Sequence, residues 1–548
     1  MRAADLLAEC LAAHGVDRIF CVPGESYLSL LDALADRPAI DLVVCRHEGG
    51  AGLMGVADAR LTRRPGVVAV SRGPGATNAS IAVHLAQQDA LPLVLLVGQV
   101  ARHERGRGAF QEVDYAAFLG SMAKMVAEVN DAGRLPETIA RAFHAARSGT
   151  PGPVVIALPE DMLADDTAAQ VIAPVDPAVS LPAPGLVAKA AALLGEAKRP
   201  LLIAGGALDD ARGRAALARA AETHGLPVVL TFKHQEIFDN ASPLYAGHLG
   251  FKIPKPQVEA LSRADLVLAV GTRIGDTPSQ GYNFPSAPEP AQPLIHVWPD
   301  PEVIGRVFRP TLGLSCDPAG FIEMLAEINL PEVPERAGWA AELHAIATPG
   351  YTPEARADGV EFGAVVAELA RTAPHDTILT MDAGNFSSWI HRVWPWDGTQ
   401  QAIGASGGAM GLGVPGAVAA SLRNPGRCVL GFTGDGGALM TGSELATAVA
   451  KGAKPKIIVS ANGSYGTIRL HQERDHPGRV SGTDLANPCF ASWGRSFGAL
   501  GIRVESPEEV ADACAELLAH DGPAVMHVQA SLEAIAATTT ITKLRGEA

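Results

Sequence analysis

An aspartate and an asparagine 27 positions apart (462 − 435 = 27) are spaced to offer two oxygen ligands to one cation. Asp435 lies in Gly434-Asp435-Gly436, directly after the apolar run 427–433, and Asn462 ends the run 456–461, which reads as a second strand. Two strand ends of one parallel sheet would bring a carboxylate and an amide oxygen together. Hard oxygen ligands, completed by diphosphate oxygens, suit Mg²⁺. Glycine at 434, 436 and 437 permits a sharp turn, and the N–H groups of Gly436 and Gly437 can donate to phosphate. The competing reading is an ordinary turn followed by a strand-end asparagine, because glycine-aspartate turns are common in α/β chains.

A second carboxylate, Glu48, stands in Arg46-His47-Glu48-Gly49-Gly50-Ala51 after the strand-like 42–45. By itself it reads equally as a helix-start acid favoured by the helix dipole. Gly73-Pro74-Gly75-Ala76-Thr77-Asn78 follows another apolar run. These elements resemble the Arg-His-Glu, Gly-Pro-Gly-x-x-Asn and Gly-Asp-Gly…Asn motifs of thiamine-diphosphate enzymes, in the acetolactate synthase large-subunit branch. Pro23-Gly24, Phe110-Gln111-Glu112, Gly152-Pro153-Val154 and Gly408-Ala409-Met410-Gly411 extend the resemblance over nearly the whole chain.

The resemblance implies thiamine diphosphate and Mg²⁺ as cofactors. Glu48 then hydrogen-bonds the aminopyrimidine N1′, the Gly408 carbonyl orients the 4′-amino group, and Met410 wedges the cofactor into a bent shape. Methionine at 410 also reads as core filler. Asp435, Asn462 and the Ser464 carbonyl hold the metal. Pro74, Asn78, Asn385, Gly434, Gly436, Gly437 and Ile468 complete the cofactor site, although Asn385 reads equally as a helix N-cap. Phe110 and Gln111 line the substrate entrance. His47 reads either as an acid–base helper or as a satisfied structural group. The polar segment 469–479 is either a mobile lid or a solvated helix.

Such residues need a scaffold of parallel strands. Short β-rich apolar runs alternate with Ala/Leu-rich stretches throughout, which predicts an α/β fold of parallel sheets flanked by helices. Proline-rich segments at 165–185 and 330–357 read as linkers. They divide the chain into a pyrimidine-binding domain (1–165), a central Rossmann-like domain (185–330) and a diphosphate/Mg-binding domain (358–535). The outer two are expected to share the thiamine-diphosphate-binding fold, since 64–76 aligns without gaps on 424–436.

Among 548 residues, 47% are hydrophobic, enough for large cores, and the net charge of −15 argues against nucleic acid or an anionic membrane as partner. Seven scattered cysteines without a Cys-x-x-Cys pair, and an acidic opening helix in place of a leader, are expected of a soluble, reduced, cytoplasmic protein.

Several positions depart from the acetolactate synthase pattern. Glu48-Gly49-Gly50 replaces Glu-Gln-Gly, and Gly384-Asn385-Phe386 replaces Gly-Gln-His. His471 stands at a tryptophan position, Pro159-Glu160-Asp161 replaces Pro-Lys-Asp, and Gly275-Asp276-Thr277 replaces Asp-Asp-Arg. The central domain also lacks Gly-x-Gly-x-x-Gly after its first strand, leaving open FAD, another nucleotide, or a purely structural role. The leading expectation is decarboxylation of a pyruvate-like 2-oxo acid with carboligation of the enamine to a second carbonyl. It would occur in a homo-oligomer with interfacial sites, and a regulatory subunit is left open. A non-ligating decarboxylase, a 2-hydroxyacyl-CoA lyase and a non-catalytic nucleotide-binding protein are the alternatives.

Overall fold

The computed structural model describes residues 1–251 and 253–547. The chain forms two compact units. One comprises residues 1–177, 353–394 and 403–548, and the other 178–352 and 395–402.

The larger unit holds two six-stranded sheets. The first contains β1 (Arg18–Cys21), β2 (Asp41–Val44), β3 (Gly66–Val70), β4 (Leu93–Gln99), β5 (Met125–Glu128) and β6 (Pro153–Pro159), in the order β2-β1-β3-β4-β6-β5. All its pairings are parallel. β3 and β4 are buried throughout, as parallel strands covered on both faces must be. Their residues alternate between two cores. Val68, Val70, Leu93 and Leu95 join one, and Val67, Ala69, Val94 and Leu96 join the other.

The smaller unit contains β7 (Pro200–Ala204), β8 (Val228–Thr231), β9 (Tyr245–Leu249), β10 (Leu266–Val270), β11 (Leu294–Trp298) and β12 (Leu312–Ser315). Their order, β12-β11-β10-β7-β8-β9, is the doubly wound Rossmann arrangement with its switch point between β7 and β10.

The second sheet contains β13 (Ile378–Met381), β15 (Val429–Gly434), β16 (Lys456–Ala461), β17 (Leu500–Val504) and β18 (Ala524–Gln529) of the larger unit, with β14 (Gln401–Gly404), whose last two residues belong to that unit, at its edge. Its order, β14-β13-β15-β16-β18-β17, repeats that of the first sheet, so the 64–76 and 424–436 alignment marks equivalent strands β3 and β15. The helices Glu48–Thr62 and Gly413–Arg423 bring the two sheets into one core, where Ala51, Val56, Val414 and Val418 lie together.

The first proline-rich segment carries no helix or strand over residues 167–183. The second differs from the linker expected there. It contains a helix, Glu335–Ala347, whose Trp339 and Leu343 are buried in the core of the smaller unit. Trp339 Nε1 donates to the Pro200 carbonyl at 2.9 Å. The prolines at 331, 334, 349 and 353 bracket this helix instead of interrupting it, so proline density concealed its periodicity.

Candidate functional site

The sequence-predicted residues of the larger unit fall just past the C-terminal ends of its strands, where parallel α/β sheets bind ligands. Glu48 opens the helix Glu48–Thr62 after β2. His47 is its N-cap, accepting the Gly49 N–H on Nδ1 at 3.0 Å, which gives that histidine a structural task. The helix Pro74–Asp89 starts after β3, with Pro74 at its first position and Gly73 in the left-handed region at φ +54°. Asn78 donates its amide to Glu48 Oε2 at 2.9 Å, and a Cβ at Gly75 would lie 3.6 Å from Glu48 Oε1. The Glu48 carboxylate is thus held at the second helix's first turn.

Gln111 packs on the same turn, its carbonyl oxygen 2.8 Å from where a Gly73 Cβ would stand. Glu112 fixes that loop by accepting from the Gly106 N–H and from Arg105, both at 2.6 Å. Phe110 projects from it and is 73% exposed. Tyr115, which no sequence signal singled out, accepts the Gly73 N–H and donates to the Gly98 carbonyl, both at 3.1 Å.

The second group gathers around β13, β15 and β16. Asp435 is buried, and its carboxylate accepts from Gly436 N (2.9 Å), Gly463 N (2.7 Å) and Asn487 Nδ2 (2.9 Å). Burial pushes its carboxyl above the ordinary range, against the opposing pull of these neutral donors. Asn462 Oδ1 accepts from Ser464 N at 3.0 Å. Asn385 is not the helix cap, a place taken by Phe386. Instead its side-chain amide donates to the Gly466 carbonyl at 3.0 Å and its backbone N–H donates to Thr467 Oγ1 at 3.1 Å. Gly408, at φ +72°, lies in the loop that returns to Ala383, and Met410 Cε approaches within 3.3 Å of a Cβ position on Gly436. Gly437 has no room for a side chain, because a Cβ there would fall 2.0 Å from Asp382 Oδ2. Ile468 is 53% exposed on the helix Gly466–Asp475.

That helix carries the polar segment read as either lid or solvated helix. Glu473 is fully buried between Arg469 and Arg545, which ties the helix to the C-terminal helix Ile541–Arg545. Among the departing positions, the Phe386 ring lies against Gly434 and meets Phe362 edge-on at 6.0 Å. Glu160 pairs with Arg72 at 2.6 Å, and Asp161 with Arg102 at 2.9 Å.

In the smaller unit, Asp209, His234 and Glu236 bring ligand atoms within 4.8 Å of one another. Arg214 already holds Asp209 Oδ1 at 2.7 Å. The His234 ring fills the space above the Gly205-Gly206 turn, 2.3 Å from a Gly206 Cβ position. Asp210 caps the following helix, Ala211–His224, by accepting from Gly213 N at 2.7 Å.

Residues 1–118 match the N-terminal TPP binding domain of thiamine pyrophosphate enzymes, 187–325 the central domain and 382–528 the C-terminal TPP binding domain. The chain is 30% identical to the mitochondrial acetolactate synthase catalytic subunit of Saccharomyces cerevisiae, over 96% of its own length and 80% of the relative's. The chain belongs to the thiamine pyrophosphate enzyme family. This thiamine pyrophosphate enzyme is also 32% identical to the acetolactate synthase of Mycobacterium bovis, over 96% and 87% of the two chains. With the acetolactate synthase isozyme 2 large subunit of Escherichia coli it shares 30% identity over 96% and 95%. It is an enzyme of the acetolactate synthase type. Among its described residues, no helix is long and apolar enough to cross a membrane.

Proposed function

We propose that this thiamine pyrophosphate enzyme decarboxylates a pyruvate-like 2-oxo acid and joins the remaining fragment to a second carbonyl, with Mg²⁺ as its resident cation. The observation that carries the reading is the Glu48 carboxylate held by Asn78 against the turn at Gly75. When bound, thiamine diphosphate supplies the carbon nucleophile and takes up the electron pair released with CO₂. Glu48 would hold or release the proton at the aminopyrimidine N1′, and Pro74 and Asn78 would flank that ring. Asp435 fits a cation ligand, because a buried carboxylate whose donors Gly436, Gly463 and Asn487 are all neutral gains from a positive partner. Asn462 and the Ser464 carbonyl would complete the protein's oxygen set. Gly434, Gly436, Gly437 and Asn385 would receive the diphosphate, while Gly408, Met410 and Ile468 would hold the rest of the cofactor. Phe110 and Gln111 would stand at the substrate entrance.

We assign a homo-oligomer in which Glu48 of one copy works with Asp435 of another, since the Glu48 carboxylate is held by Asn78 and that of Asp435 by Gly436, Gly463 and Asn487. Seven cysteines without a disulfide support a reducing, cytoplasmic setting. The central domain is read as structural and not as a flavin site. His234 fills the turn after β7, and Asp210 already caps the N-terminus of the helix Ala211–His224, where a nucleotide pyrophosphate would need its N–H groups.

Purified protein supplied with pyruvate, thiamine diphosphate and Mg²⁺ is expected to yield one acetolactate per CO₂. Acetaldehyde equal to CO₂ would replace carboligation with simple decarboxylation. No CO₂ from any of a panel of 2-oxo acids would remove the reading.

A further inference from the structure

Glu444 is a fully buried carboxylate that this chemistry leaves unused. It ends the turn Gly442–Glu444, which continues directly from the helix Asp435–Thr441. Its oxygens reach the other sheet of the same unit. Oε1 accepts from Arg46 N at 3.1 Å and His47 N at 3.0 Å, and Oε2 from Arg46 N at 3.2 Å and Thr447 Oγ1 at 2.6 Å. The fit is close, since a Cβ on Gly50 would lie 2.4 Å from Oε1. Every one of these partners donates, so the surroundings match the acceptor-only carboxylate. Burial pushes the Glu444 carboxyl above the ordinary range, and these hydrogen bonds oppose the shift.

We infer that Glu444 is a positioning residue for Glu48. It fixes the backbone of Arg46 and His47, and with it the direction in which the helix Glu48–Thr62 begins and the Glu48 carboxylate meets Asn78. The inference rests on the proposed role of Glu48 at N1′. It also connects the two groups of site residues. Glu444 follows Asp435 by nine positions (444 − 435 = 9) along one unbroken helical stretch. The metal-side turn and the Glu48 helix of one chain are therefore registered against each other. In a homo-oligomer with shared sites, Glu444 stands between one site and the next.

The test compares Glu444→Gln, Glu444→Ala and Glu48→Gln in the full chain. In cofactor-free protein, amide hydrogen exchange over residues 44–52 is expected to quicken strongly in Glu444→Ala, where two N–H groups lose their acceptor. Glu444→Gln should quicken it less, because its amide oxygen still accepts. In cofactor-loaded protein, exchange of the thiamine C2 proton should slow about tenfold in Glu444→Ala, the usual scale for a lost orienting partner. Glu444→Gln should recover part of that rate, with cofactor affinity changed less than the rate. A lowered melting temperature with wild-type C2 exchange would make Glu444 a mere staple and overturn the inference, as would wild-type amide exchange at 44–52. If Glu444→Ala does not fold, Glu444→Gln decides on the same two readouts. Wild-type C2 exchange in Glu48→Gln would instead remove the role of Glu48, while the amide exchange still reports on Glu444.

Discussion

Asn487 donates its side-chain amide to Asp435 Oδ2 at 2.9 Å. The same oxygen takes the Gly463 N–H at 2.7 Å, and Oδ1 takes the N–H of the adjacent Gly436 at 2.9 Å. These three hydrogen bonds fix the carboxylate in rotation. Asn487→Ala is expected to weaken Mg²⁺ and thiamine diphosphate binding by about tenfold or more, as loss of an outer-shell partner does. Titration followed by tryptophan fluorescence measures this. Unchanged affinity would mean that the two backbone N–H groups orient Asp435 unaided.

Glu48→Gln keeps the shape at the end of the Asn78 hydrogen bond, since a carboxamide oxygen can still accept. It removes the ability to hold a proton for the aminopyrimidine. Turnover is expected to fall by about 10²–10⁴-fold, the range for losing an acid–base group. The KM for the 2-oxo acid should move little, because the entrance residues are untouched. Steady-state kinetics at saturating cofactor check both, and turnover like that of the wild type would dismiss the role of Glu48.

The strand ends bearing Glu48, Asp435 and Asn462 were legible because apolar runs stop at turn residues, and a parallel sheet leaves little choice about where such ends point. The shared order of the two outer sheets was foreshadowed by one gap-free alignment of β3 with β15. Asn487 was not legible. It stands 52 positions beyond Asp435 (487 − 435 = 52), before Pro488, and reads only as a turn residue until the fold brings it back. Glu444 was hidden for the same reason, its partners lying 398 and 397 positions away. The helix Glu335–Ala347 was missed because its bracketing prolines masked a short apolar stripe that only tertiary packing rewards.

Arg423 closes the helix Gly413–Arg423 and grips two acids of the first sheet's domain. Its Nε lies 2.8 Å from Asp58 Oδ1, and its terminal nitrogens 2.9 and 3.0 Å from the Asp17 carboxylate. Asp58 is buried, so removing its cation leaves a desolvated charge. Arg423→Met should cost about 3–5 kcal/mol, the scale for breaking a buried pair from one side. The first urea transition reports it. Adding Asp58→Asn to that variant should restore part of the loss, and no recovery would mean that lost packing of the arginine stem dominates.

Glu473 gives the C-terminal helix a pH-dependent anchor. Arg545 first, with the Gly478 N–H and Arg469, outweighs burial and holds its carboxyl down from the ordinary 4.5 to about 2. A depressed carboxyl contributes stability that is present above its unfolded value and lost as pH falls through its folded one. The clamp is thus complete at neutral pH and should weaken as pH falls from about 4.5 towards 2. Arg545→Gln removes the principal partner and should shift release of residues 541–547 to higher pH. Amide exchange or limited proteolysis of that segment, in wild type and variant across this range, reads the difference. Release at the same pH in both would place the anchor in the Thr542 N–H bond to Glu533, at 3.0 Å, and not in the arginine clamp.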